Sequence, residues 1–283
     1  MNTLALEIAG LGIRIDSAVA MDRFNDFGFY KDFIVKSRAS DHCRLGHRIG
    51  AVPDPAAGRD LFHTQNWQLS TVGDKKVLCL GPASKKAKPD NVVLFDQDYS
   101  AGAMYQKRVY ELFSRFIDQF LVINLLAQNR GFLLHSSGVV WKKKGICFTG
   151  LSGTGKSTLL NLFKDDVAPE CLLNDDRCAL RNYGDRWRVF GTPWYGESRV
   201  SSSHSADLSA LFFIRHSKRN YVRRLSAAEI CPQLMVLGLL PLWDKAATSA
   251  VLDIFQNLIR NIPAFEFGFV PGKAAIDLIK KTV

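Results

Sequence analysis

Residues 148–158 read FTGLSGTGKST, and no other stretch constrains the chain as much. Gly150, Gly155, Lys156 and Ser157 complete the pattern G-x-x-x-x-G-K-S, the Walker A phosphate loop. Glycines at these places let successive backbone N–H groups turn inward around a polyphosphate, and a following helix adds its positive dipole end. The flanking sequence has the required form. Residues 145–149 are a short apolar run that reads as a buried strand, and Ser157 to Phe163 has helical apolar spacing. The motif therefore implies a bound nucleoside triphosphate. Its expected contacts are Gly150, Leu151, Ser152, Gly153, Thr154, Gly155, Lys156, Ser157 and Thr158. Lys156 is expected at the β- and γ-phosphates, and the Ser157 hydroxyl on Mg²⁺.

The rest of the chain narrows the context. With 283 residues, 47% hydrophobic and 23% charged, it has the makings of an ordinary globular protein of one large or two moderate domains. A net charge of +10 favours anionic ligands. The basic residues, such as Lys85-Lys86 and Lys142 to Lys144, are dispersed rather than gathered into an arm that tracks nucleic acid, so a nucleic-acid partner is not expected. Six cysteines without paired or zinc-like spacing fit a reducing compartment. The start of the sequence lacks the basic and apolar regions of a signal peptide, and no run is long enough to span a membrane, so a cytoplasmic location is expected.

Residues 1–110 read as a β-rich domain, with alternating runs at Leu4–Ile8, Gly12–Ile15, Trp67–Thr71, Val77–Leu80 and Val92–Phe95. Loops are expected at Ala51–Gly58 and Pro82–Asp90. Residues 111–283 read as the nucleotide domain, joined through a helix over 111–128 whose apolar face is expected to pack on that domain. Phe132 to Val140 is an apolar strand carrying His135, and it turns back at Lys142–Gly145 into the strand before the phosphate loop. A histidine in an apolar strand is, by itself, more often a satisfied core residue. Further on, the run CLLNDDR ends a short strand in Asp175 and Asp176. Phosphate-loop proteins keep a metal-binding aspartate at such a distance, and two carboxylates allow one to hold Mg²⁺ while the other accepts a proton. Asn and Asp also serve as plain turn formers. Residues 191–197 read as a structured loop able to close over the phosphates, and Ser201–Ser205 as a mobile polar stretch. Helices are expected over Ser226–Leu239, Asp244–Ile262 and Lys273–Lys281, with a strand at Phe265–Val270.

Absent motifs exclude some classes. There is no N-K-x-D guanine-reading motif of a GTPase and no L-S-G-G-Q of a transporter ATPase. What is present, LHSSGVV from Leu134, then the phosphate loop, then LNDDR from Leu173, resembles the catalytic domain of HPr kinase/phosphorylase over residues 131–200. The loop sequence GLSGTGK is also similar to that of the fold-related ATP-dependent phosphoenolpyruvate carboxykinase. The N-terminal residues do not resemble the N-terminal domain of the phosphocarrier kinase.

The resemblance implies an α/β (α+β) phosphate-loop kinase domain with a mixed sheet, preceded by the β-rich domain. It implies an ATP- and Mg²⁺-dependent kinase acting on a serine-type hydroxyl of a protein, peptide or small molecule; the region on which the family's phosphorylase activity depends is not found in this sequence, so forward transfer only is expected. A homo-oligomer is compatible with it. By the same resemblance His135 sits by the reacting hydroxyl or contacts a metal, Asp175 is the general base, and Asp176 holds Mg²⁺ with Ser157, the two aspartates being able to exchange roles. Glu197 is implied as a further metal ligand, and an arginine between Arg215 and Arg224 as a phosphate contact. The alternative from another class is a non-catalytic ATP-binding sensor that reports to a partner.

Overall fold

The structure, a computed structural model, describes residues 2–36, 41–54, 58–81, 89–113 and 116–283. The expected Lys85-Lys86 pair, most of the 82–90 loop and residues 55–57 of the 51–58 loop lie outside the described residues. The chain forms two compact units, Met1–Leu125 and Leu126–Val283, each mixed α/β with a mixed sheet. The sequence reading placed the boundary at 110/111; here it falls within the connecting helix.

The first unit is a single sheet built from β1 (Asn2–Ile8), β2 (Leu11–Ser17), β3 (Cys43–Ile49), β4 (Arg59–His63), β5 (Trp67–Val72), β6 (Lys75–Leu80), β7 (Asn91–Phe95) and β8 (Ala101–Gln106). Their spatial order is β1-β2-β3-β8-β7-β6-β5-β4, with β2, β3 and β8 mutually parallel and the remaining pairs antiparallel. Alternation sets the buried face: Leu4, Leu6 and Ile8 of β1 meet Ile13 and Ile15 of β2 in the core.

Helix α1 covers Ile117–Gln128 rather than starting at 111. The reason is a buried carboxylate. Asp26 accepts the backbone N–H groups of Leu112 (2.7 Å) and Phe113 (3.0 Å), which holds that segment out of a helix. Within the first unit the Phe116 and Phe120 rings lie on Trp67, and Phe120 also meets Phe95 and Tyr99.

The second unit contains β9 (Gly131–Trp141), β10 (Lys144–Thr149), α2 (Lys156–Leu162), β11 (Leu172–Asn174), β12 (Arg177–Asn182), β13 (Trp187–Phe190), β14 (Ser205–His216), β15 (Tyr221–Arg224), α3 (Ala227–Leu237), β16 (Gly238–Leu239), α4 (Lys245–Asn261), β17 (Ala264–Phe269) and α5 (Lys273–Thr282). Strands β9, β10, β14, β13 and β12 pair in a closed circuit, because β12 returns to β9. The strands β10, β14 and β17 run parallel, while β9 is antiparallel to β10.

Both faces of the central strands are buried, as continuous apolar runs require. One face, with Ile146, Phe148, Phe212 and Ile214, packs on Leu159 and Leu160 of α2 and on Ala275, Ile276 and Ile279 of α5. The other, with Cys147, Leu211 and Phe213, packs on Ile230 and Leu234 of α3 and on Val251 and Phe255 of α4. Glu229 and Asp244 cap α3 and α4 through Ser226 and through the amides of Ala246 and Ala247. Ser201–Ser205, expected as mobile, is instead bonded in place: Ser201 Oγ donates to the Thr192 carbonyl and Ser202 Oγ to that of Glu170. All six cysteines are free thiols. Among the described residues no helix is long and apolar enough to cross a membrane.

Replacing Asp26 by Ala strands two buried amides, and urea unfolding of the full chain is expected to show a loss of about 2 kcal/mol. An unchanged midpoint and slope would mean that Leu112 and Phe113 are satisfied some other way.

Candidate functional site

The site begins where β10 ends. Gly150 to Gly155 bridge β10 to α2, and the turn is closed by Thr154, whose hydroxyl donates to the Leu151 carbonyl at 2.8 Å. Gly153 and Gly155 sit at φ +79° and +99°, in the left-handed region that only glycine enters freely. A Cβ at Gly155 would also come within 3.0 Å of the Phe269 ring, so β17 braces the loop from the side. This is the strand–loop–helix form of a phosphate-binding loop, with the Thr154 amide bonded within the loop to the Leu151 carbonyl at 3.3 Å.

Lys156 opens α2 yet is 7% exposed, because its side chain folds back across the loop. Nζ donates to the carbonyls of Gly150 (2.8 Å) and Leu151 (3.0 Å). Burial lowers its pKa, and the negative charge of Asp176 opposes that fall. Ser157 is half-buried on the same turn, and Thr158 is exposed.

His135 reaches the loop through strand register. Ser136 on β9 pairs with Thr149 on β10, so His135 lies one residue past the end of β10, alongside the start of the loop. The Thr149 hydroxyl donates to the His135 carbonyl at 2.8 Å and fixes the two strands there.

Asp176 arrives from the other neighbour of β9. The pairing of β11 and β12 with β9 lapses at Asp175–Asp176, and Asn174 organises the gap. Its Oδ1 accepts the N–H groups of both Asp176 and Arg177 at 2.7 Å, an Asx turn, while its Nδ2 donates to the Thr192 carbonyl. The Asp176 carbonyl accepts from the Ser136 amide at 3.0 Å. The Asp176 carboxylate then meets His135 Nδ1 at 3.1 Å through Oδ1 and Arg177 Nη1 at 2.9 Å through Oδ2. Burial opposes its ionisation, but His135, Arg177 and Lys156 together outweigh burial and hold its pKa below the usual value.

Asp175 faces elsewhere. Expected as the general base, it is 3% exposed and both oxygens are occupied by backbone amides. Oδ1 accepts from Gly196 (2.8 Å) and Val200 (3.2 Å), and Oδ2 from Ser198 (2.7 Å). Glu197 lies exposed on that turn. Among the described residues no three His, Cys, Asp or Glu side chains gather as a metal cluster. In the Arg215–Arg224 segment, Arg215 and Arg223 are both drawn to Glu266, at 3.5 and 3.4 Å, and Arg223 also pairs with Glu229.

The structure thus brings His135 and Asp176 into contact within reach of the Lys156 charge, leaves Ser157 on the first turn of α2, and commits both Asp175 oxygens to backbone amides. Sequence reasoning missed Asn174, Thr192 and Arg177. An Asn directly before two aspartates at a strand end was the available signal for the first. A histidine-centred row in the first unit, Ser17–His47–Gln106, is linked by hydrogen bonds of 2.9 Å, but all three side chains are buried and serve the core.

No known family model matches this sequence. Over 71 residues the chain is 35% identical to the probable GTP-binding protein EngB of Malacoplasma penetrans, which is 24% of this chain and 38% of that protein. The chain therefore spans well under half the length of that curated relative. Among solved structures, the Hpr(Ser) kinase/phosphatase from Coxiella burnetii aligns over 53% of this chain and 91% of its own, at 13% identity and a TM-score of 0.28. The phosphate-loop assignment rests on the strand, loop and helix described above.

The lowered pKa of Asp176 has a sign that can be checked. A carboxylate held below its unfolded value, here 3.8, adds stability that is present above that value and lost as pH falls through the lower folded one. The stability advantage of the native chain over Asp176→Asn is accordingly expected to shrink only below about pH 4 in urea unfolding at stepped pH. An advantage that is already gone at pH 5 would contradict the ion pairs drawn here.

Proposed function

We propose that the chain is a phosphotransferase that binds a magnesium nucleoside triphosphate in the Gly150–Thr158 loop and passes the terminal phosphate to a hydroxyl. The supporting observation is the contact of Asp176 with His135 beside Lys156. In phosphoryl transfer the protein mainly positions groups and neutralises charge. Loop amides and Lys156 serve the phosphates, Lys156 exchanging its two carbonyl partners for phosphate oxygens. Asp176 pins the imidazole through Nδ1, which leaves His135 Nε2 to take the proton of an incoming hydroxyl. This division suits the two groups. A carboxylate kept ionised by the Arg177 and Lys156 charges and by the His135 hydrogen bond is a poor proton acceptor and a good orienting group, whereas a histidine is the side chain most often used as a general base.

The donor set fits Mg²⁺. That ion takes few protein oxygens and keeps water and phosphate oxygens for the rest. The Ser157 hydroxyl and an Asp176 oxygen would hold it, and when bound it neutralises charge on the phosphates. Glu197 is not needed for such a set. ATP as the nucleotide follows the kinase resemblance. The EngB relative is named as GTP-binding, so the same titration made with both nucleotides decides between them. The acceptor is proposed as a serine-type hydroxyl on a protein, peptide or small molecule.

Asp176→Asn is expected to bind a fluorescent ATP analogue with Mg²⁺ nearly as the native chain does, while transfer of label from γ-labelled ATP to an acceptor in cell extract falls about 10²- to 10⁴-fold. Lys156→Ala is expected to weaken nucleotide binding as well. Full transfer by Asp176→Asn would remove the proposed role. Tight binding with no transfer by the native chain would favour an ATP-responsive module without turnover.

A further inference from the structure

Asp175 stands directly before the aspartate of the site, and its surroundings assign it a different task. Three backbone N–H groups, from Gly196, Ser198 and Val200, converge on its two oxygens at 2.7 to 3.2 Å. These come from one short turn, closed by the Arg199 amide donating to the Gly196 carbonyl at 3.2 Å and carried past Arg199 at φ +53°. Beyond the turn Ser201 is tied back, by its hydroxyl to Thr192 and by a β-bridge to Asn174. The turn is also pressed against the acidic pair. A Cβ at Gly196 would lie 3.0 Å from Asp175 Oδ2 and 3.1 Å from the Cβ of Asp176. Glu197 and Arg199, on the same turn, are exposed.

We propose that Asp175 is a positioning residue: its carboxylate fixes the Gly196–Val200 turn as a wall beside Asp176, so that Glu197 and Arg199 are the side chains an approaching acceptor meets. The acceptor part rests on the phosphotransferase reading; the anchoring of the turn does not. Charge-assisted bonds to amides are strong, and no neutral side chain replaces all three. An asparagine at 175 has one oxygen where two are used, and its NH₂ would face an N–H donor.

Trypsin cleaves after Arg199, which gives a direct readout in the full chain. In Asp175→Asn, cleavage after Arg199 is expected to rise about tenfold or more, as loss of charged hydrogen bonds implies. Cleavage after Arg219 and binding of a fluorescent ATP analogue with Mg²⁺ should stay within about threefold. Gly196→Ala, which keeps the carboxylate but crowds it with a methyl and so pushes the turn off, should raise cleavage after Arg199 in the same way. In the native chain, the amides of Gly196, Ser198 and Val200 should be protected from hydrogen exchange. The pH profile of residual MgATP turnover in Asp175→Asn should keep the native shape.

Unprotected amides, or unchanged cleavage after Arg199 in both variants, would overturn the anchoring role. Loss of the acid limb of the pH profile in Asp175→Asn would do so too, by showing that Asp175 itself titrates in the reaction. Should Asp176→Asn prove fully active, the phosphotransferase reading falls while the proteolysis and exchange results still decide the anchor.

Discussion

Asp175 and Asp176 lie in a bend between β11 and β12, and the site depends on that bend sending their two carboxylates to different partners. One carboxylate turns inward to three amides of the 196–200 turn, and its neighbour turns to His135 and Arg177. The arrangement needs a bend held in one shape between two paired strands. Asn174 provides it by gathering the amides of Asp176 and Arg177 onto one oxygen, while its own NH₂ is held by Thr192. Thr192 in turn donates to the Arg177 carbonyl at 2.6 Å, which closes the frame around the acidic pair.

Strand β9 is the common partner that converts this local geometry into a site. It pairs with β10 on one edge, which delivers the phosphate loop, and with β11 and β12 on the other, which deliver Asp176. His135 therefore stands between the two without any loop of its own. Because the core packs both faces of β10 and β14, the loop rests on a rigid base, and Phe269 limits sideways movement at Gly155.

The phosphate loop was fully legible because its spacing is local and its glycines have a steric reason. The pair Asp175–Asp176 was legible as a pair, but which member meets His135 depends on register with β9 and on a turn about twenty residues away, and neither is written locally. Helix α1 was placed too early because its apolar spacing continues back to Leu112, whereas the Asp26 carboxylate takes the amides of Leu112 and Phe113. Three strands of the first unit carried no usable signal. β3 turns His47 inward where a nonpolar residue would mark the face, β4 is an exposed edge, and β8 has a small residue at Gly102, where a Cβ would meet the Leu94 carbonyl at 2.5 Å.

The central claim is that Asp176, with His135, faces the terminal phosphate while Asp175 does not. A crystal structure with Mg²⁺ and a non-hydrolysable ATP analogue tests it most directly. The account predicts the terminal phosphate between Lys156 and the Asp176–His135 pair, with Asp175 still accepting from Gly196, Ser198 and Val200. A terminal phosphate remote from Asp176, or an Asp175 carboxylate released from the turn and rotated onto the metal, would contradict it.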